Sequence, residues 1–233
     1  MQESEFDKFA EEYLNLHRQN IKASGEDPIF FARYKIADLK QLAKQAHLRN
    51  QPRILDFGAG IGNSIPHFRE FFPDVQLTCL DVSKKSLNIA EERFGSVADY
   101  VHFDSKKIPY SDDTFDLCFT ACVFHHIPME NHIPLLKEIY RTLKPGSFFV
   151  IFEHNPYNPL TVHAVNTCPL DENAVLIKAS QLKNSLGKAG FKEISITYRI
   201  FFPAFLRALR RLEKYLGSIP LGAQYYASCK KSV

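Results

Sequence analysis

The chain reads as a doubly wound α/β protein, and three observations predict it. Strand-like apolar runs alternate with helical patterns from about residue 50 to residue 190, and such alternation builds a mostly parallel sheet with helices on its faces. Arg53-Ile54-Leu55-Asp56-Phe57 runs straight into a turn with glycine at 58, 60 and 62, and then into a helix. Ser147 to Phe152 is a continuous apolar run, as a central strand covered on both faces requires. At 233 residues, 45% hydrophobic and 24% charged, the chain is long enough for one domain with a sizeable core.

Taken in order, residues 1 to 49 read as helical. Phe6, Phe9, Ala10, Tyr13, Leu14 and Leu16 recur at spacings of three and four. Ser24-Gly25-Glu26-Asp27-Pro28 breaks the run, and a second helix carries Phe31, Tyr34, Ile36, Leu39, Leu42 and Ala43. Pro52 suits the first position of the strand that follows. Ser64 to Phe72 reads as the first crossover helix, with Pro66 tolerated only in its first turn. Val75 to Leu80 is the second strand. Ser83 caps the next helix, which runs to about Phe94 and is closed by Gly95. Tyr100 to Phe103 is a short third strand, and Asp113 to Thr120 starts and forms the fourth. Leu135 to Leu143 is helical, stopped by Lys144-Pro145-Gly146 before the fifth strand.

The last third is less regular. His154 to Asp171, rich in Asn and Pro, reads as a loop over the sheet's carboxyl edge. Ser180 to Gly190 is a helix with a glycine stop. Phe191 to Phe202 and Ala223 to Lys230 read as two further strands. Between them Pro203 to Gly217 has the pattern of a basic amphipathic helix. Arg207, Arg210, Arg211 and Lys214 lie opposite Phe205, Leu206, Leu209, Leu212, Tyr215 and Leu216, so a packed helix with a solvated basic face is expected.

The glycine turn points to the ligand. A parallel sheet binds ligands outside the carboxyl ends of its strands, so the turn should line the main site. Its glycines let a ligand approach the backbone, and the helix after it presents free N–H groups. A dinucleotide fingerprint would place its third glycine where Asn63 stands. Asp56, two residues before the first glycine, would oppose a pyrophosphate and suit an ammonium group. Asp81 ends the second strand 21 residues after Gly60, where such folds hold ribose hydroxyls. The ligand reads as a nucleoside with a cationic tail and no phosphate.

Leu55-Asp56-Phe57-Gly58-Ala59-Gly60-Ile61-Gly62 resembles the first signature of class I S-adenosylmethionine-dependent methyltransferases of the small-molecule, bacterial type. The resemblance continues in order through Asp81, Phe103-Asp104-Ser105, Ser111-Asp112-Asp113-Thr114-Phe115-Asp116 and Leu143-Lys144-Pro145-Gly146, and covers roughly residues 50 to 155. It implies a Rossmann-like seven-stranded sheet, mostly parallel with an antiparallel last strand. It divides the chain into an N-terminal helical lid segment, 1–49, and a methyltransferase domain, 50–233. It implies S-adenosyl-L-methionine as cofactor. Asp56 and the Phe57-Gly58-Ala59-Gly60 turn would hold its ammonium end, Asp81 its ribose, and Val82 its adenine face. Asp104 would accept from the adenine amino group, Ser105 would offer its backbone N–H, and the backbone of Thr120 and Ala121 would face the methionine arm. Tyr13, Tyr34 and Lys35 are lid candidates. Lys35 either lies in solvent or meets the carboxylate of the methionine arm.

Three histidines carry the chemical expectation. His154 follows the fifth strand, at the edge where acceptors sit in the resembling family, and is the first choice for a general base. Glu153 beside it orients the loop or the cofactor arm. His125 and His126 end the fourth strand and are the other catalytic candidates. Adjacent residues rarely point the same way, so at most one of this pair is expected to face the pocket. With His132 they invite a metal reading, but no Asp, Glu or Cys completes a recognised spacing, so no metal is expected.

The expected activity is methyl transfer to an oxygen, nitrogen or carbon of a small molecule, releasing S-adenosylhomocysteine. Two other readings stand beside it: a non-catalytic cofactor-binding regulator and an NAD-dependent oxidoreductase, against which Asn63 and Asp56 speak. A net charge of +3 is too mild to imply nucleic acid. Five cysteines without paired spacing and an acidic amino end without an apolar core read as reduced thiols and a cytoplasmic location. The 203–217 segment is the place where a membrane surface could be touched.

Overall fold

The structure, a computed structural model, describes residues 13–232. Phe6, Phe9 and Ala10, expected on the first helix, lie outside the described residues. The chain order is α1 (Tyr13–Asn20), α2 (Pro28–Gln45), β1 (Arg53–Phe57), α3 (Ile65–Phe71), β2 (Gln76–Asp81), α4 (Lys84–Phe94), β3 (Asp99–His102), β4 (Phe115–Ala121), α5 (Met129–Thr142), β5 (Leu143–His154), α6 (Pro159–Thr167), α7 (Ala179–Ala189), β6 (Lys192–Arg199), the single turn α8 (Glu213–Leu216) and β7 (Gln224–Lys230). The seven strands form one sheet in the order β3-β2-β1-β4-β5-β7-β6. β7 runs antiparallel to both its neighbours, and the other pairings are parallel. The fold class is the one the sequence predicts.

Alternation along the strands divides the core into two layers. Ile54, Leu77, Leu117 and Val150 face one side, where Ile36 and Leu39 of α2, Phe68 of α3 and Leu87 of α4 cover them. Leu55, Leu80, Cys118 and Ile151 face the other, under Leu136 and Ile139 of α5 and Leu182 and Leu186 of α7. Ile36 and Leu39 are fully buried, and each such side chain is worth about 1.5–3 kcal/mol, so α2 is tied to the sheet as well as reaching its carboxyl edge. Local signals set the helix ends. Asp27 accepts from Ile29 N at the start of α2, Ser83 from Ser86 N at the start of α4, and Gly190 closes α7 in the left-handed region at φ 109°.

Three segments differ from expectation. The helix expected from Leu135 begins at Met129 and runs through Pro134, because burial of His132, Leu135, Leu136 and Ile139 outweighs the lost backbone bond. The expected loop 154–171 contains α6, started by Asn158, whose side chain accepts from Thr161 N, with Pro159 in the first turn. The expected basic helix at 203–217 is a 3₁₀ segment, Ala204–Leu212, kinked at Leu206 and followed by α8. Arg207, Arg211 and Lys214 are exposed as expected, but the apolar residues are not packed. Phe205 and Tyr215 stand 81% and 71% exposed, while Arg210 turns inward, donates to Phe202 O and pairs with Glu26 at 2.5 Å. Glu213 is the buried anchor, accepting from the N–H groups of Phe201 and Phe202. Among the described residues no helix is long and apolar enough to cross a membrane.

Candidate active site

A cavity of about 830 Å³ opens at the carboxyl ends of β1, β2, β4 and β5. One end of it is built by the glycine turn. Gly58 (φ 78°) is required because a Cβ there would lie 2.4 Å from Val123 Cγ2. A Cβ on Gly60 would meet nothing within 4 Å, so the backbone at this position faces open cavity. Asp81 secures the turn: its Oδ2 accepts from Gly60 N at 2.8 Å and its Oδ1 from Ser83 N at 2.9 Å. Asp56 is 2% exposed, and its Oδ2 finds no hydrogen-bond partner among the described residues. Burial, and then the charge of Asp81, push the Asp56 carboxyl up to about 8. Burial also raises Asp81, against the hydrogen bonds it accepts.

The other end is built by side chains from five parts of the chain. Cys122 follows β4, in the left-handed region at φ 59°, and a 3₁₀ turn over Phe124–His126 comes next. Glu153, at the end of β5 and fully buried, holds this turn. Its Oε1 accepts from Phe124 N at 2.8 Å, and its Oε2 lies 2.6 Å from His125 Nδ1. Asp171, from a 3₁₀ turn after α6, places Oδ1 3.6 Å from His125 Nε2 and 3.4 Å from His126 Nε2. The ring centroid of His154 is 5.2 Å from that of His125. His154 Nδ1 is 3.4 Å from Gln224 Nε2, and Tyr34 donates its hydroxyl to Gln224 Oε1. Lys35 Nζ lies 3.5 Å from Cys122 Sγ.

Charge follows this geometry. Burial opposes protonation of His125, but Glu153 outweighs it and raises the imidazole to about 10. Burial holds the neighbouring His126 below its ordinary value. Burial alone would raise the Cys122 thiol, yet His154 and Lys35 bring it down to about 7. Asp171 is held well below the carboxylate range, because the two imidazoles beside it outweigh its burial.

Of the residues singled out in the sequence, Asp56, Gly58, Ala59, Gly60, Asp81, Ala121, His125, His126 and His154 line the cavity. Phe57, Val82, Asp104, Ser105 and Thr120 are not in its lining. Phe57 and Val82 sit in the core beside Phe103. Asp104 caps its own loop, accepting from the N–H groups of Lys106 and Lys107, and Thr120 is fully buried.

Three expectations are corrected. His125 and His126 both line the cavity, with ring centroids 4.2 Å apart, since a 3₁₀ turn does not alternate its side chains as a strand does. Lys35 is not solvated: it is 8% exposed, turned inward over Cys122. An acid does join the histidines. It is Asp171, too distant in sequence for any spacing rule, whereas His132 turns away to the carbonyls of Phe124 and Ile127. Cys122 and Gln224 were also missed. Their only sequence signal was position, one just past the fourth strand and the other at the start of the last.

Comparison with known proteins places this architecture. The family described as "Methyltransferase domain" matches residues 55–151. The O-methyltransferase cnsE of Penicillium expansum is 29% identical over 167 residues, 67% of this chain and 59% of that protein, so the chain spans less than two thirds of that relative's length. Among solved structures, a possible histamine N-methyltransferase from Thermotoga maritima superposes with a TM-score of 0.67 at 18% identity, over 98% of this chain and 99% of that one. The phosphoethanolamine N-methyltransferase 2 of Haemonchus contortus, solved with phosphomonomethylethanolamine and S-adenosylhomocysteine, gives 0.60 at 21% identity, over 84% and 52%. The family match begins in β1 and takes in the glycine turn, Asp81 and the 3₁₀ turn of His125 and His126, and together these likenesses support a class I S-adenosylmethionine-dependent methyltransferase.

Proposed function

We propose that the chain is an enzyme that transfers the methyl group of S-adenosylmethionine to a small-molecule acceptor bound beside His125, His126 and His154. The observation that carries this reading is the joining of two unlike ends in one cavity: the Asp56–Gly60–Asp81 turn and the histidine cluster. The names of similar proteins, an O-methyltransferase and an N-methyltransferase of a small phosphorylated amine, support a small-molecule acceptor.

Two features support the fit of the cofactor. The orphaned Asp56 Oδ2 offers a buried carboxyl oxygen to an ammonium group, directly or through water. The open face at Gly60, next to Asp81, offers room and an acceptor for ribose hydroxyls. When bound, S-adenosylmethionine supplies an activated methyl group on a sulfonium, and S-adenosylhomocysteine is what remains after transfer. Ala121, and the backbone of Thr120, would border the methionine arm. Asp104 and the backbone N–H of Ser105 would reach the adenine from outside the cavity lining. Val82 supports that wall from the core.

The chain's own residues have two tasks. The first is to hold the acceptor in line with the methyl group, which is worth up to roughly 7–11 kcal/mol where alignment is good. The second is to remove a proton where the acceptor carries one. His154 is the base in this reading, since it lines the cavity beside the other two histidines. His125, held protonated by Glu153, cannot serve as a base at neutral pH.

Calorimetry with S-adenosylmethionine, S-adenosylhomocysteine and NAD tests the cofactor, and tight NAD binding would overturn the reading. Release of S-adenosylhomocysteine with a panel of hydroxylated and amine acceptors, or with a cell extract, tests catalysis. Cofactor binding without turnover on any of them would favour the regulatory protein.

A further inference from the structure

The acceptor end of the cavity has a feature that methyl transfer does not require. His125, His126 and Asp171 each offer one ligand atom, and these atoms lie within 4.8 Å of one another. We infer that His125 Nε2, His126 Nε2 and Asp171 Oδ1 form a binding site for a divalent transition-metal ion of the zinc class.

The distances favour coordination over hydrogen bonding. Asp171 Oδ1 stands 3.6 Å and 3.4 Å from the two imidazole nitrogens. N–H···O bonds cluster at about 2.7–3.2 Å, so both contacts are long for that purpose. A tetrahedral ion with bonds of about 2.0–2.2 Å sets its ligand atoms about 3.3–3.6 Å apart, which both distances from Asp171 match.

The support behind the ligands is of the kind metal sites use. His125 presents its Nδ1 to Glu153 Oε2 at 2.6 Å, which leaves Nε2 as the outward atom. A carboxylate behind a metal-bound histidine fixes the tautomer and the ring orientation. Glu153 is itself immobilised by Phe124 N, and Val175 N donates to His125 O at 2.8 Å, so the turn is pinned from both sides. Charge agrees as well. Glu153 and Asp171 bring two carboxylates to a buried place, and a doubly charged cation between neutral imidazoles would balance them. The ion would displace a proton from His125 on binding.

Three protein ligands leave a fourth position, and all three residues line the cavity, so that position faces the acceptor space. An acceptor oxygen or nitrogen could occupy it. The inference does not depend on methyl transfer, and a chain that turns over without metal leaves the preceding proposal standing.

The test is a titration of chelator-stripped protein with Zn²⁺ by calorimetry and with Co²⁺ by visible absorption. One equivalent of either ion per chain is expected, with d–d bands of a tetrahedral or five-coordinate site for Co²⁺. His126→Ala and Asp171→Ala should each weaken binding at least a hundredfold. Glu153→Gln, a positioning change, should cost roughly 10–100-fold. His163→Ala, at the cavity wall outside the cluster, should bind as the parent does. Failure of the stripped wild-type protein to take up one equivalent overturns the inference. So does uptake that neither His126→Ala nor Asp171→Ala changes, with folding of both checked by circular dichroism. Should either variant fail to fold, the wild-type titration alone decides.

Discussion

The end of the cavity at the glycine turn is made from backbone and two carboxylates, all between Asp56 and Asp81 in the chain. The end at the histidines is made from side chains at positions as far apart as 35, 122, 171 and 224. A turn that must bring its main chain against a ligand is constrained by geometry, and few residues satisfy it. A cluster of side chains is constrained by chemistry, and many backbones could supply it. The first end should therefore answer to changes in shape and the second to changes in functional group.

The largest expected effect tests this separation directly. His154→Ala should lower turnover by roughly 10²–10⁴ while the dissociation constant for S-adenosylmethionine stays within error of the parent. If cofactor affinity falls as far as turnover does, the two ends are not separable. Full turnover in His154→Ala together with loss in His126→Ala would move the base to the neighbouring loop.

A smaller effect is expected at the turn, and it should be steric. Gly58→Ala puts a methyl group at φ 78° and 2.4 Å from Val123 Cγ2. The cost is roughly 2–4 kcal/mol from the left-handed backbone and the overlap together, read as a lower thermal midpoint and weaker cofactor binding. Adding Val123→Ala should restore the steric part and leave the backbone part. No recovery in the double variant would show that backbone strain alone sets the cost.

The smallest effect is a proton. Asp56 titrates at about 8 in the folded protein, above its ordinary value, so its contribution to stability is present at low pH and is lost as pH rises towards 8. A bound ammonium favours the carboxylate. Cofactor affinity should therefore climb between pH 6 and 8, by at most about tenfold per pH unit, and level off above. Calorimetry near pH 7 in buffers of different ionisation enthalpy should register proton release on binding, and Asp56→Asn should abolish it. A flat affinity profile in the wild-type protein would mean that Asp56 does not meet the ammonium.

The same contrast explains what the sequence revealed. The order of strands and helices was legible because each has its own periodicity and its own cap, such as Ser83 or Gly190. The turn was legible because Gly58, Gly60 and the strand-end acids are close together in the chain. Asp171 was not, because nothing local says that a 3₁₀ turn after α6 returns to the end of β4. Nor was the second histidine, since a turn reads like a strand end until its dihedral angles are known. The 203–217 segment misled for a different reason. Its period-3.6 pattern is real, but Arg210 finds Glu26 and the ring of Phe30 inside, and its apolar residues are left facing out.

Pairing of Tyr34 with Gln224 joins residues 190 positions apart, and Arg199 with Asp38 residues 161 apart. Each such contact closes a long loop, whose entropic cost grows as about (3/2)RT ln n and is met only once the intervening chain is in place. The parallel pairings close shorter loops, with Ile54 opposite Leu77 and opposite Leu117. On that ground the acceptor end is expected to be among the last parts of the molecule to assemble. A refolding chain should regain far-UV ellipticity before the Tyr34–Gln224 link, and stopped-flow refolding with cofactor binding as the second signal should show binding lagging behind secondary structure.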